Sequence, residues 1–186
     1  MSKKLAVVFP GIGYHSDKPL LYYSKKLAKN KDYEIVEVKY SFREDFSVIK
    51  GNADKMQEAF DEAFEQVVEQ LKNIVFADYD RIVFIGKSIG TALAARYNMT
   101  YELDADMIVF TPIEQTFAFV NACEGMVFHG SADPLCDTDM CTQLCEELSL
   151  TYAVIPEANH SLETGNVATD IANLAKVMHT VDGILK

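Results

Sequence analysis

Three residue types that together perform nucleophilic acyl chemistry stand in a suggestive order along this chain. Ser88 lies in Gly86-Lys87-Ser88-Ile89-Gly90, Asp133 in Gly130-Ser131-Ala132-Asp133-Pro134, and His160 in Pro156-Glu157-Ala158-Asn159-His160-Ser161-Leu162. A serine hydroxyl is a weak nucleophile until a base takes its proton, and an imidazole is a useful base when an acid fixes its tautomer and orientation. The glycines two residues either side of Ser88 add a steric clue. A serine held in a tight turn between a strand and a helix leaves no room for side chains at those positions.

The elements needed to position these residues can be read from the pattern. Short apolar, β-branched runs predict strands at Leu5-Phe9, Glu34-Val38, Arg81-Ile85, Met107-Phe110, Met126-His129 and Tyr152-Ile155. Segments of helical period predict helices at Pro19-Lys29, Ala53-Ile74, Gly90-Tyr97, Thr138-Leu148 and Val167-Leu185. The clearest is the second, where Met56, Phe60, Phe64, Val67, Leu71 and Ile74 form one face and Glu58, Asp61, Glu62, Glu65 and Glu69 the other. Alternating strands and helices imply a parallel sheet covered on both faces. Ser88, Asp133 and His160 then each follow a strand end, along the edge where open α/β sheets bind ligands.

In that context the sequence resembles the α/β-hydrolases. Gly86-Lys87-Ser88-Ile89-Gly90 looks like their nucleophile elbow, His129-Gly130-Ser131-Ala132-Asp133-Pro134 like their acid turn, and Ala158-Asn159-His160-Ser161 like their histidine loop. The resemblance runs from the first strand to the last helix. It implies a three-layer α/β/α sandwich with a mostly parallel six-stranded sheet in the order 2-1-3-4-5-6, a minimal form lacking the leading antiparallel strands. It further implies Ser88 as nucleophile, His160 as base and then acid, and Asp133 as the group orienting His160. The Ile89 amide would be one oxyanion donor. The other would come from Pro10-Gly11-Ile12-Gly13-Tyr14, where proline replaces the usual histidine, with Ile12 expected to donate and Gly13 or Tyr14 as the other candidates. The stretch Thr111–Gly125 is short where many relatives insert a cap, so an open site is expected, bounded by Tyr14, His15, parts of Lys39–Asn52, Phe117 and Phe119. The implied activity is cleavage of a carboxylester or thioester in a small acyl substrate, with no metal or organic cofactor.

Each residue also has a plainer explanation. Ser88 could be a helix cap, Asp133 a turn carboxylate with Asp137 and Glu157 as rival acids, and His160 an exposed loop histidine. His129 is expected to pack at a strand end, His15 to be exposed unless it touches substrate, His179 to do no chemistry, and Lys87 to be solvated or ion-paired. The cysteines Cys123, Cys136, Cys141 and Cys145 contain no CxxC pair and read as reduced thiols packed in or near the core. A rival reading takes Gly11 and Gly13, with Glu37 ending the next strand, as a nucleotide-binding fingerprint. Ser16 stands there in place of the final glycine, and the match would leave the Ser-Asp-His order unexplained. A catalytically silent binding protein on the same fold is the remaining alternative.

Composition limits the partners. With 186 residues, 17 Lys+Arg and 28 Asp+Glu, the formal net charge is −11. Nucleic acid and anionic membranes are poor partners for such a chain. The length suits a single domain, residues 1–186, with a core that needs no staples. The apolar run after Met1-Ser2-Lys3-Lys4 is too short for a secretory core, so a cytoplasmic protein is expected. Nothing in the sequence fixes the oligomeric state.

Overall fold

Along the first strand, β1 (Lys4–Phe9), successive side chains point to opposite faces of the sheet, and both faces are apolar. Leu5, Val7 and Phe9 join one buried cluster, while Ala6 and Val8 join a second. A strand buried on both faces belongs in the interior of a covered parallel sheet. The computed structural model, which describes residues 2–43, 52–120 and 125–186, has that architecture.

The other strands are β2 (Tyr33–Glu37), β3 (Arg81–Ser88), β4 (Asp106–Pro112), β5 (Gly125–Gly130) and β6 (Tyr152–Ile155). They form one sheet in the order β2-β1-β3-β4-β5-β6, with every neighbouring pair parallel. Helices α1 (Pro19–Asn30) and α5 (Val167–Ile184) cover one face, where Leu20, Leu21 and Ala28 meet Val177 and Val181. Helices α2 (Ala53–Leu71), α3 (Ile89–Tyr101) and α4 (Thr138–Glu147) cover the other. The result is the expected three-layer α/β/α sandwich.

The helices begin where local chemistry allows. Pro19 starts α1, since a proline at the first helical position gives up no bonded amide. Asn52, Asp137 and Asn166 cap α2, α4 and α5 by accepting from Lys55, Met140 and Thr169 amides. The acidic side of α2 faces outward as expected, while Phe60, Ala63, Val67 and Leu71 are buried. Met56, expected on the inner face, is 40% exposed. No helix among the described residues is long and apolar enough to cross a membrane.

Two boundaries affect the chemistry. β3 continues three residues beyond the expected Ile85, so Ser88 is its last residue and α3 begins immediately at Ile89. β4 continues through Thr111 and Pro112, and its register against β3 slips there. Lys87 pairs with Phe110, but Ser88 pairs with Pro112, leaving Thr111 as an extra residue. Thr111 has φ 42° and is a bulge opposite the elbow.

Candidate active site

Ser88 sits in the sharp turn between β3 and α3 with φ 56° and ψ −126°. Non-glycine residues rarely adopt such a conformation, which costs about 1–3 kcal/mol and persists where the surroundings over-determine it. Those surroundings are visible at the two flanking glycines. A Cβ on Gly90 would stand 2.2 Å from the Phe9 carbonyl oxygen, and one on Gly86 would stand 2.8 Å from Thr91 Cα. Both glycines let backbone meet backbone. The Thr91 hydroxyl donates to the Ser88 carbonyl at 2.6 Å and pairs with the buried Thr116 hydroxyl at 2.6 Å, tying the turn to the short 3-10 segment Glu114–Ala118.

Ser88, His160 and Asp133, far apart in sequence, form one hydrogen-bonded chain. Ser88 Oγ is 2.8 Å from His160 Nε2, and His160 Nδ1 is 2.7 Å from Asp133 Oδ2. A carboxylate can only accept, so Nδ1 carries the hydrogen and Nε2 is left to accept from the serine hydroxyl. Burial alone would raise the pKa of the Asp133 carboxyl. Hydrogen bonds from His160 and from the Leu135 amide, the latter at 2.9 Å, outweigh that effect and hold it below the ordinary carboxylate value. The Asp133 side chain is fully buried, while that of His160 is 21% exposed, so the chain opens to solvent at its serine end.

The two edge loops are shaped by local bonds. A Cβ on Gly130 would lie 2.3 Å from the Ala158 carbonyl oxygen, so the acid turn presses directly on the histidine loop. The Ala132 amide donates to that same carbonyl at 2.9 Å, and the Glu157 amide donates to Ser131 Oγ at 2.8 Å. Asn159 Oδ1 accepts from the Ser161 amide at 2.7 Å, and the bulged Thr111 donates its hydroxyl to the His160 carbonyl at 3.0 Å. The rival acids have other roles: Asp137 caps α4, and Glu157 is exposed.

The loop after β1 lies against the elbow. A Cβ on Gly11 would approach Ser88 Cβ and the Lys87 carbonyl oxygen to 3.1 Å. Gly11 and Tyr14 exchange two backbone bonds, of 3.1 and 3.2 Å, which close this turn. Those bonds use the amides of Gly11 and Tyr14, so Tyr14 is no longer a candidate oxyanion donor, while the amides of Ile12 and Gly13 at the tip take no part. Ile89 is the first residue of α3, where helix amides have no partner within the helix. Beside the loop is a groove of about 810 Å³ lined by Pro10–Gly13, His15, Ile35, Val38, Tyr40 and Phe42, among others.

Several expectations need correction. Tyr14 is only 6% exposed; its hydroxyl accepts from the Leu20 amide at 3.1 Å, and it does not line the groove. Phe117 is 8% exposed and packs in the core, and Phe119 stacks on Phe60 with 5.9 Å between ring centroids. Of the expected boundary residues, His15 and, from Lys39–Asn52, Lys39, Tyr40 and Phe42 line the groove; residues 44–51 lie outside the described residues, as does Cys123. Lys87, expected in solvent or in an ion pair, is 1% exposed, with Nζ 5.0 Å from the centre of the Tyr14 ring. Burial lowers its pKa to about 7, against the opposing pull of Asp133. Alternation along β3 would have revealed it, because Lys87 falls on the same inward face as Ile85 and Val83. His129 packs at the end of β5 as expected, 1% exposed, and burial pulls its pKa below the usual histidine value. The glycine loop closes on itself and α1 starts only at Pro19, so Gly11 and Gly13 do not open a helix as a nucleotide-binding fingerprint requires. Glu37 is paired with Lys25 at 2.9 Å.

Solved structures described as α/β-hydrolases share this architecture. An α/β serine hydrolase homologue from Coxiella burnetii aligns over 97% of this chain and 85% of its own, at 15% identity and a TM-score of 0.61. A Xanthomonas campestris protein described as an α/β serine hydrolase without lid aligns over 97% of this chain and 82% of its own, at 18% identity and a TM-score of 0.59. A carboxylesterase from Bacillus cereus aligns over 98% of this chain and 89% of its own, at 18% identity and a TM-score of 0.63. No protein-family model matches the sequence, and no curated protein matches it by sequence. The chain has the α/β-hydrolase fold.

Proposed function

We propose that this protein is a serine hydrolase that cleaves a carboxylester or thioester in a small acyl substrate. The observation carrying this reading is the unbroken chain from Ser88 Oγ through His160 to the buried Asp133, with bonds of 2.8 and 2.7 Å, starting from a strained elbow. A helix cap alone would need neither the strain nor the histidine.

In the mechanism, Ser88 Oγ attacks the acyl carbon as His160 Nε2 takes the hydroxyl proton. Asp133 stabilises the resulting imidazolium without taking the proton itself. Negative charge gathers on the former carbonyl oxygen, which accepts hydrogen bonds from the Ile89 amide and the Ile12 or Gly13 amide, preformed as donors. Each such donor is worth about 3 kcal/mol in comparable sites. Collapse expels the alcohol or thiol, which leaves with the proton from His160, and Ser88 carries the acyl group. Water then attacks the acyl-enzyme with His160 again as base, releasing the acid and restoring the serine.

The groove beside Gly11 supports an open site for a small acyl or leaving group. Its walls combine apolar Ile35, Val38 and Phe42 with polar Asp17 and Lys39. The protein is taken to act as a single domain in the cytoplasm, with no cofactor in the chemistry. A fluorophosphonate probe tests the reading directly: one adduct per chain is expected, on Ser88. Absence of labelling, or equal labelling of Ser88→Ala, would overturn it. Acyl esters and thioesters of graded chain length then separate the substrate classes, with Ser88→Ala as control.

A further inference from the structure

Behind the acid turn is a cluster of groups that the proposed hydrolysis does not use. His129 closes β5, Cys136 lies in the loop that carries Asp133, and Cys141 is in α4. They are 1%, 3% and 1% exposed. One ring nitrogen of His129 and the two sulfurs all lie within 4.8 Å of one another. In a tetrahedral zinc site, bonds of about 2.3 Å to sulfur and 2.0 Å to nitrogen put neighbouring ligand atoms roughly 3.5–4 Å apart, so small shifts would close this triple around an ion.

The second observation concerns His129. Its Nε2 lies 3.0 Å from Thr138 Oγ1, while its Nδ1 is buried and has no hydrogen-bond partner among the described residues. An unpartnered polar atom in a dry interior is costly. A metal-bound imidazole has this same division of labour, with one nitrogen on the ion and the other held by a hydrogen bond that fixes the ring. Charge also balances: two thiolates and a neutral imidazole cancel a divalent cation, which a buried site requires.

We propose that His129, Cys136 and Cys141 form a buried binding site for one thiophilic divalent cation, with zinc as the fitting ion. Binding forms two metal–sulfur bonds and one metal–nitrogen bond, and the two thiol protons leave to solvent. Cys145, fully buried one turn further along α4, is a further thiol beside the cluster. The ion would join the end of β5, the Asp133 loop and α4, so it is structural, bracing the acid turn from behind.

The test uses the full chain, reduced and stripped with chelator, then titrated with zinc chloride against a chromophoric chelator. One equivalent is expected to bind, and the Cys136→Ser/Cys141→Ser double variant is expected to lose at least ~100-fold in affinity. Cobalt in place of zinc should show thiolate-to-metal charge-transfer bands and the strong visible bands of tetrahedral coordination. X-ray absorption at the zinc edge of the wild-type protein should show at least two sulfur neighbours at about 2.3 Å, a readout independent of whether any variant folds. No uptake by the reduced protein, a shell of nitrogen and oxygen alone, or equal binding by a folded double variant would each overturn the proposal. None of these readouts depends on Ser88, and Ser88→Ala should bind zinc as the wild type does.

Discussion

Ser88 owes its position to backbone crowding in the middle of the sheet, whereas Asp133 and His160 owe theirs to hydrogen bonds, from side chains and backbone, at its β5–β6 edge. At the elbow, Gly86 and Gly90 bring main chain onto main chain and Ser88 is forced to φ 56°. At the edge, Ser131 and Thr111 each hold the loops through one side-chain bond and Asn159 through two, with Gly130 as a close approach. In the proposed mechanism the nucleophile cannot move without losing its angle of attack, while the base and its acid need only remain bonded. The rigid method is therefore used at the centre and the adjustable one at the rim.

This contrast can be tested from the largest expected effect downward. Ser88→Ala should lower kcat by about 10⁶-fold and Asp133→Asn by about 10⁴-fold with KM little changed, measured on the best acyl ester found. Similar small losses in both would remove the serine from the chemistry and the comparison with it. Gly90→Ala should destabilise the fold by at least ~3 kcal/mol in denaturant melts, because its Cβ has only backbone to push against. Ser131→Ala, which removes one edge bond, should cost only about 1 kcal/mol. Equal costs would abolish the distinction between centre and rim. Ser88→Gly should gain roughly 1 kcal/mol by relieving the backbone while losing activity, separating strain from catalysis.

Lys87 supplies the mildest test. Its pKa in the folded protein, about 7, is below the ordinary 10.5, so between these values the unfolded chain binds more protons than the native one. Stability should then rise as pH increases from about 7 to 9 and fall on the way back. Lys87→Met should flatten that slope in thermal melts recorded across the window. An unchanged slope would place the lysine's charge in water after all.

What was legible in the sequence follows from where side chains dominate. β1, β2 and β6 are simple runs of apolar and β-branched residues, and their ends fall within a residue or two of expectation. The end of β3 was not legible, since Gly86-Lys87-Ser88 has no strand propensity and is held in the sheet by its neighbours β1 and β4. The Ser-Asp-His order was legible because each residue lies at a strand end or within a few residues beyond one. Lys87 and Tyr14 were misread for one reason: a charged residue and a loop tyrosine are usually exposed, and here each covers the other. The bulge at Thr111 left no trace, because threonine has no preference for a positive φ.

That bulge sets a length standard for the molecule. By making β4 one residue longer than the strand beside it, Thr111 turns a miscount in the ladder into a fixed offset, and its hydroxyl spends that offset on the His160 carbonyl. Removing one residue there would let the two strands agree and would leave the histidine loop without its anchor on β4. The length of β4 is therefore as constrained as its buried composition, and the serine–histidine distance is gauged by counting residues as well as by packing them.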